Sequence, residues 1–211
     1  NEIIHIDDLI QHLNFVDEII AIDAFSEDGT FEKLNLYPQV KTIQRKFLNF
    51  SDQRNFAITQ ASNEWILFID ADERITPKLK DNILEAVKNK TNTIAYKFPR
   101  KFVFEDKIMR FSGLQTDKVF RLFKNGSATY FKDKTVHEQL DIRGKKAVMK
   151  HYMLHYSFSG VNHYKNKIEH YAILKAQELL KKGKKPNGYH FYIKPAYKFL
   201  NNYILRLGVL D

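Results

Sequence analysis

At 211 residues the chain has the length of one sizeable α/β domain with a small extension. Its 44% hydrophobic share is ordinary for a soluble globular protein, no cysteine is present to form disulfides or thiolate zinc sites, and no stretch reaches the roughly 20 apolar residues of a membrane-spanning helix. A net charge of +9 with 17 Phe and 11 Tyr leaves nucleic acid, an anionic membrane or a phosphorylated substrate as partners to weigh.

Residues 1–16 read as a polar start leading into a helix, with Ile6, Leu9, Ile10, Leu13 and Val16 at helical spacing and Asp7 and Asp8 near its beginning. Residues 18–23 form a buried strand that ends on a carboxylate, Asp23. A turn-rich loop, 24–30, follows, and Thr30 is expected to cap a short helix through Leu36. Pro38 ends that helix, and 40–44 makes another short strand. Ser51 is the expected N-cap of a helix to about Ala61, with Phe56, Ala57 and Ile58 available for burial. Asn63 breaks it and delivers the chain to Trp65-Ile66-Leu67-Phe68-Ile69, too short for a typical helix and suited to a strand covered on both faces. Thr76-Pro77 opens a further helix with Leu79, Ile83, Leu84 and Val87 on one face. Helix and strand thus alternate through the first ninety residues, the pattern of a parallel doubly wound sheet.

The second half differs. Residues 93–98, 101–104, 118–123, 128–131 and 147–156 read as strands, with turns at Lys124-Asn125-Gly126 and Arg143-Gly144-Lys145. This antiparallel or mixed set is expected to complete the sheet and build a substrate lip. A long helix over 160–182 stops at Gly183. The tail, 189–207, interleaves aromatic and aliphatic residues with Lys194, Lys198 and Arg206, a basic amphipathic segment suited to a membrane surface or to packing on protein.

The apolar run 65–69 stops abruptly at Asp70-Ala71-Asp72-Glu73. On an extended chain, acids at i and i+2 point to the same side, and ligands of open α/β sheets collect at the carboxyl ends of strands. Two hard oxygen ligands there suit Mg²⁺ or Mn²⁺ shared with a substrate's phosphates. The structural alternative is that Asp70 and Asp72 merely cap a turn before the next helix. Asp23 repeats the same logic on its own strand.

Residues 18–23, Ser26-Glu27-Asp28-Gly29-Thr30, Gln53-Arg54-Asn55-Phe56-Ala57 and Asp70-Ala71-Asp72-Glu73 occur in an order that resembles the inverting glycosyltransferases of family 2. Arg121-Leu122-Phe123, Val136-His137-Glu138 and His155-Tyr156 are similar to the branch that adds sugars to lipopolysaccharide core, typified by β-1,4-glucosyltransferases. The resemblance runs from residue 1 to about 180. It implies a GT-A fold, an α/β Rossmann-like mixed sheet flanked by helices, over residues 1–156, with a C-terminal helical extension, 157–211, packed on it. Family members begin with a strand that leads into a Lys-Asn-Glu-type segment. Asn1-Glu2 matches the end of that segment, so the sequence is expected to be a fragment without the first strand.

The implied activity is inverting, metal-dependent transfer of a sugar from a nucleoside-diphosphate donor, UDP-linked by expectation, to a glycolipid or glycan acceptor such as lipopolysaccharide core. By the resemblance, Asp72 is the direct ligand of Mg²⁺ or Mn²⁺, and Asp70 reaches the ribose or, through water, the metal. Asp23 accepts from the base or ribose. Asp28 joins it, although Asp-Gly is also an ordinary turn. Arg54 neutralises pyrophosphate or contacts the base. Inversion needs a base within reach of the attacking hydroxyl, and Glu138 is the first candidate, with His137 orienting it and Asp117 as runner-up. Cytoplasmic placement, with peripheral contact at the inner face of an anionic membrane, is expected, and no nucleic-acid partner. Two rivals stand beside this reading: a sugar-nucleotide nucleotidyltransferase, for which no Gly-rich phosphate loop is visible, and a non-catalytic basic module that binds membrane or nucleic acid.

Overall fold

The computed structural model describes residues 1–89, 91–131, 140–158 and 160–211. It divides into two compact units, one of Asn1–Pro99 and Lys118–Met153, the other of Arg100–Asp117 and Leu154–Asp211.

In the first unit α1 (Ile3–His12) leads to β1 (Ile19–Asp23), α2 (Thr30–Leu34), β2 (Val40–Gln44) and α3 (Phe50–Gln60). Then come β3 (Trp65–Leu67), β4 (Glu73–Ile75), α4 (Pro77–Lys88) and β5 (Thr93–Phe104), which runs on into the second unit. Parallel pairing of β1 with β2, from Ile19↔Val40 to Asp23↔Gln44, matches the expected crossover through a helix. Ile6 and Ile10 of α1 bury against Leu34 and Val40, so the apolar face read from the helical spacing covers this small sheet.

The expectation of a parallel arrangement through the first ninety residues does not hold for β3. Its partner is β7 (Lys118–Lys124), antiparallel, in the register Trp65↔Lys124, Ile66↔Phe123, Leu67↔Leu122. β7 also pairs antiparallel with β5. Alternation of elements states their order, but which strand occupies an edge depends on segments far along the chain. β8 (Ala128–Tyr130) and β9 (Leu140–Ile142) form an antiparallel pair, and β10 (Lys145–Val148) runs parallel to β5. The main core unites Leu79 and Ile83 of α4 with Tyr96, Phe98, Leu122 and Met153, all under 9% exposed. Ile66, Ala95, Phe123, Ala128 and Ile142 make a second cluster.

Several local expectations are corrected. Residues 93–98 and 101–104 are one twelve-residue strand, Pro99 included, opposite Lys118. Residues 147–156 split between β10 and β11 (Met153–Phe158). Asn49, not Ser51, caps α3, its Oδ1 accepting from Asp52 N–H at 2.9 Å, while Ser51 is fully buried inside the helix. Thr30 is the first residue of α2 rather than its cap, and Asp28 supplies the oxygen instead.

The second unit holds the end of β5, its antiparallel partner β6 (Lys107–Ile108), a 3₁₀ turn at Leu114–Thr116, most of β11, and α5 (Val161–Lys181). Gly183 ends α5 at φ +68°, its N–H donating to Leu180 O, as a left-handed stop requires. Beyond it, α6 (Lys194–Phe199) lies between two π-helical turns, Tyr189–Ile193 and Leu200–Leu205.

Candidate active site

The feature predicted to be a strand end is a tight turn. β3 stops at Leu67, although Phe68 N–H still donates to Arg121 O at 2.7 Å. Glu73 N–H then donates to Asp70 O at 3.0 Å, closing a four-residue turn over Asp70-Ala71-Asp72-Glu73. Asp70 and Asp72 are therefore not i, i+2 neighbours on an extended chain. Their relation is set by the turn.

Four charges brace it. Arg121 of β7, 3% exposed, donates from Nη2 to Asp70 Oδ2 and, at 2.6 Å, to Glu73 Oε1. Arg54 of α3 reaches both oxygens of Asp70 at 3.2 and 3.3 Å, and its guanidinium lies over the rings of Phe68 and Tyr130. Glu73 Oε2 accepts the Asp70 N–H at 3.1 Å, so the second acid holds the backbone of the first. Two carboxylates and two guanidiniums balance formally. Burial works against the charge on Asp70, but Arg121 and then Arg54 outweigh it and hold the carboxyl below its usual range despite the neighbouring Asp72 charge. Glu73, 1% exposed, goes the other way because burial dominates there. Asp72 sits half-buried in the turn.

A third arginine ties the turn to α1. Arg74 is 4% exposed, pairs with Asp8, and donates to Ala71 O at 2.7 Å and to Glu73 O and His5 O, both at 2.9 Å. Residue type and spacing alone assign no role to Glu73, Arg74 or Arg121. Adjacent opposite charges in a short strand between apolar neighbours, Glu73-Arg74-Ile75, were the available signal, since such groups are buried only with partners.

Asp23 closes β1 as expected and is 5% exposed. Burial tends to raise it, but hydrogen bonds from Ser26, the Gln44 amide (3.2 Å) and Phe25 N–H prevail and keep it low. Arg45 N–H donates to Asp23 O at 2.9 Å, and the Arg45 side chain pairs with Asp52 on the first turn of α3. Two residues on, Arg54 is directed to Asp70. Asn55 clamps Tyr130 of β8, accepting its N–H at 2.8 Å and donating to its C=O at 2.9 Å.

Asp28 serves two helix starts. It accepts from Ile3 N–H at 3.1 Å, from Thr30 N–H at 3.0 Å and from the Thr30 hydroxyl. The Thr30 hydroxyl first, with the Ile3 and Thr30 amides, lowers its pKa to about 2. A carboxyl depressed in the fold adds stability above its unfolded pKa near 4, and that contribution is lost as pH falls toward 2. Asp28→Asn is therefore expected to flatten the acid unfolding of the wild type between about pH 4 and pH 2, followed by far-UV circular dichroism. Superimposable acid titrations of the two proteins would refute the capping role.

The two catalytic-base candidates part company. Glu138 and His137 lie outside the described residues. Asp117 follows the 3₁₀ turn of the second unit, where its carboxylate accepts from Arg100 Nε at 2.5 Å and its C=O from Arg100 N–H at 3.0 Å. Among the described residues no group of three or more His, Asp or Glu side chains is arranged to hold an ion by protein ligands alone. The donors present suit a hard cation shared with phosphate oxygens of a substrate, which needs only one or two carboxylates.

The fold is the GT-A arrangement of glycosyltransferases. S. aureus TarS in complex with UDP-GlcNAc superimposes with a TM-score of 0.53 over 74% of this chain and 55% of that one, at 17% identity, a likeness of fold alone. The sequence profile of glycosyl transferase family 2 matches residues 5–173, and the chain belongs to that family. It is 27% identical to an uncharacterized glycosyltransferase of Rickettsia typhi, covering 92% of this chain and 69% of the relative. It is 24% identical to the lipopolysaccharide core biosynthesis glycosyltransferase LpsC of Rhizobium meliloti, covering 96% and 77%. Family membership sets aside the nucleotidyltransferase and the non-catalytic module.

Proposed function

We propose that the protein is an inverting, metal-dependent glycosyltransferase that moves a sugar from a UDP-linked donor to a hydroxyl of a glycolipid or glycan, with lipopolysaccharide core as the acceptor class. The observation that carries this reading is the Asp70–Glu73 turn, cross-braced by Arg54 and Arg121, in a chain of glycosyl transferase family 2. The UDP-GlcNAc of the TarS complex supports the donor class, and the name of LpsC supports the acceptor class.

In this reading Asp72 is the carboxylate offered to Mg²⁺ or Mn²⁺, and Asp70 assists from behind. Both oxygens of Asp70 already meet guanidinium groups, which reduces its pull on a cation and makes it the anchor of the turn. Held by Asp72, a divalent ion would supply Lewis-acid stabilisation of the charge on the departing diphosphate. Arg54, positioned by Asp70 and two rings, adds positive charge near the pyrophosphate. Asp23, kept anionic by its hydrogen bonds, accepts from a ribose hydroxyl or a uracil N–H. Asp28 shapes the loop after β1 through its two helix starts. Glu138 is assigned as the base that deprotonates the acceptor hydroxyl, with Asp117 as the alternative. Residues 1–156 carry the donor chemistry and 157–211 the helical extension. An acceptor carried on lipid brings the enzyme to the cytoplasmic face of a membrane.

The test is a thermal-shift screen of UDP, GDP and dTDP and their sugars, with and without Mn²⁺. A rise in Tm is expected for UDP compounds and a larger one with Mn²⁺, since a ligand that binds only the folded state stabilises it. Stabilisation by GDP or dTDP compounds alone would overturn the donor assignment, and a UDP response indifferent to Mn²⁺ would overturn the metal.

A further inference from the structure

The segment after α5 is rich in exposed apolar side chains, Phe191 and Leu205 among them. Tyr192, Ile193, Tyr197, Leu200, Tyr203 and Ile204 recur at three- and four-residue spacing along the helical turns, and each is 45–78% exposed. The spacing is that of a core-facing helix, yet the stripe faces solvent. Its end is anchored within its own unit. Ser112 N–H donates to Arg206 O at 3.0 Å, and Arg110 and Phe111 N–H donate to the Asp211 carboxylate. Gly113, at φ +88°, leaves room for the Arg206 side chain where a Cβ would stand 2.0 Å from Nη1. Phe199 stacks on Tyr203 at 5.1 Å.

The charges on this segment have one sign. Lys181, Lys182, Lys184, Lys185, Lys194, Lys198 and Arg206 occur without any acid between Glu178 and Asp211. A stripe with tyrosines among its aliphatics and only cations around it is matched by a surface that is apolar below and anionic above. That describes the interface of an anionic bilayer, where tyrosine sits at headgroup depth. Among the described residues no helix is long and apolar enough to cross a membrane, so such a segment lies in the interface plane.

We propose that 189–206 is an interfacial membrane-binding element, with the Tyr192–Ile204 stripe in the acyl–headgroup boundary and Lys194 and Lys198 against anionic headgroups. It makes no use of the nucleotide site, so it stands or falls apart from the donor assignment.

Co-sedimentation of the full chain with vesicles of phosphatidylcholine alone, or mixed with phosphatidylglycerol in equal parts, tests it. Binding to the mixed vesicles is expected, weakened by added salt and by removal of the anionic lipid. Lys194→Glu with Lys198→Glu should reduce it about tenfold or more. Tyr192→Ser with Leu200→Ser should do the same through the apolar side, and both pairs should keep the wild-type Tm because the replaced side chains are exposed. Equal binding to neutral and anionic vesicles, or wild-type binding by either pair, would overturn the proposal. So would a lipid-free dimer in analytical ultracentrifugation that Leu200→Ser dissociates while vesicles go unbound, which would assign the stripe to a second copy of the chain.

Discussion

Replacing Arg121 with methionine is expected to cost about 3–5 kcal/mol of folding stability, the largest single loss for any residue of the site. Methionine fills much of the space of the arginine stem but leaves Glu73, 1% exposed, facing Asp70 with no guanidinium between them. Burial raises the Glu73 pKa, and Arg121 is the first of the influences that oppose it. Asp70 would retain Arg54. Adding Glu73→Gln to Arg121→Met should recover part of the loss, because a neutral amide removes the unpaired buried charge. Urea denaturation of the two variants decides the matter: a loss under about 1 kcal/mol for Arg121→Met would mean that the quartet is not what holds the turn.

Asp72→Ala is expected to leave the fold intact and remove the metal response. Asp72 is half-buried in the turn whereas Arg121 is 3% exposed, so Tm without ligand should fall far less than for Arg121→Met. The Mn²⁺-dependent tightening of UDP should disappear, and transfer should fall by about 100-fold or more, equivalent to about 2.7 kcal/mol of lost transition-state stabilisation. Asp70→Asn should behave differently. It weakens the contacts that position Arg54 and Arg121, so ligand-free stability falls together with binding. If Asp72→Ala bound UDP and Mn²⁺ as the wild type does, the metal would have to be held elsewhere.

The sequence by itself determined the inventory and the order of the parts. Apolar spacing located α1 and α4, an expected cap with apolar residues behind it located α3, short strand-like runs located β1, β2 and the start of β3, and the abrupt change to acid at Asp23 and Asp70 marked candidate ligand positions. These are local signals, carried by residues a few positions apart, and they survive in any fold that buries those faces. Pairing is not local. That β3 joins β7 antiparallel, some 55 residues later, follows from competition among strands for one edge, and no window around residues 65–69 contains it. The same holds for the cap of α3, where Asn49 and Ser51 are both acceptable by type and backbone geometry chooses.

The Asp70-Ala71-Asp72-Glu73 segment divides between the two kinds of information. Its acids were visible as candidate ligands from residue type alone. Only the tertiary structure decided that they occupy a turn and that Glu73 belongs to its support. Arg54, Arg74 and Arg121, from three different elements, converge on that turn. A buried carboxylate needs its counter-charge within a few ångströms, and that charge can come from anywhere along the chain. Burial, which makes the partner obligatory, exists only once the chain has folded.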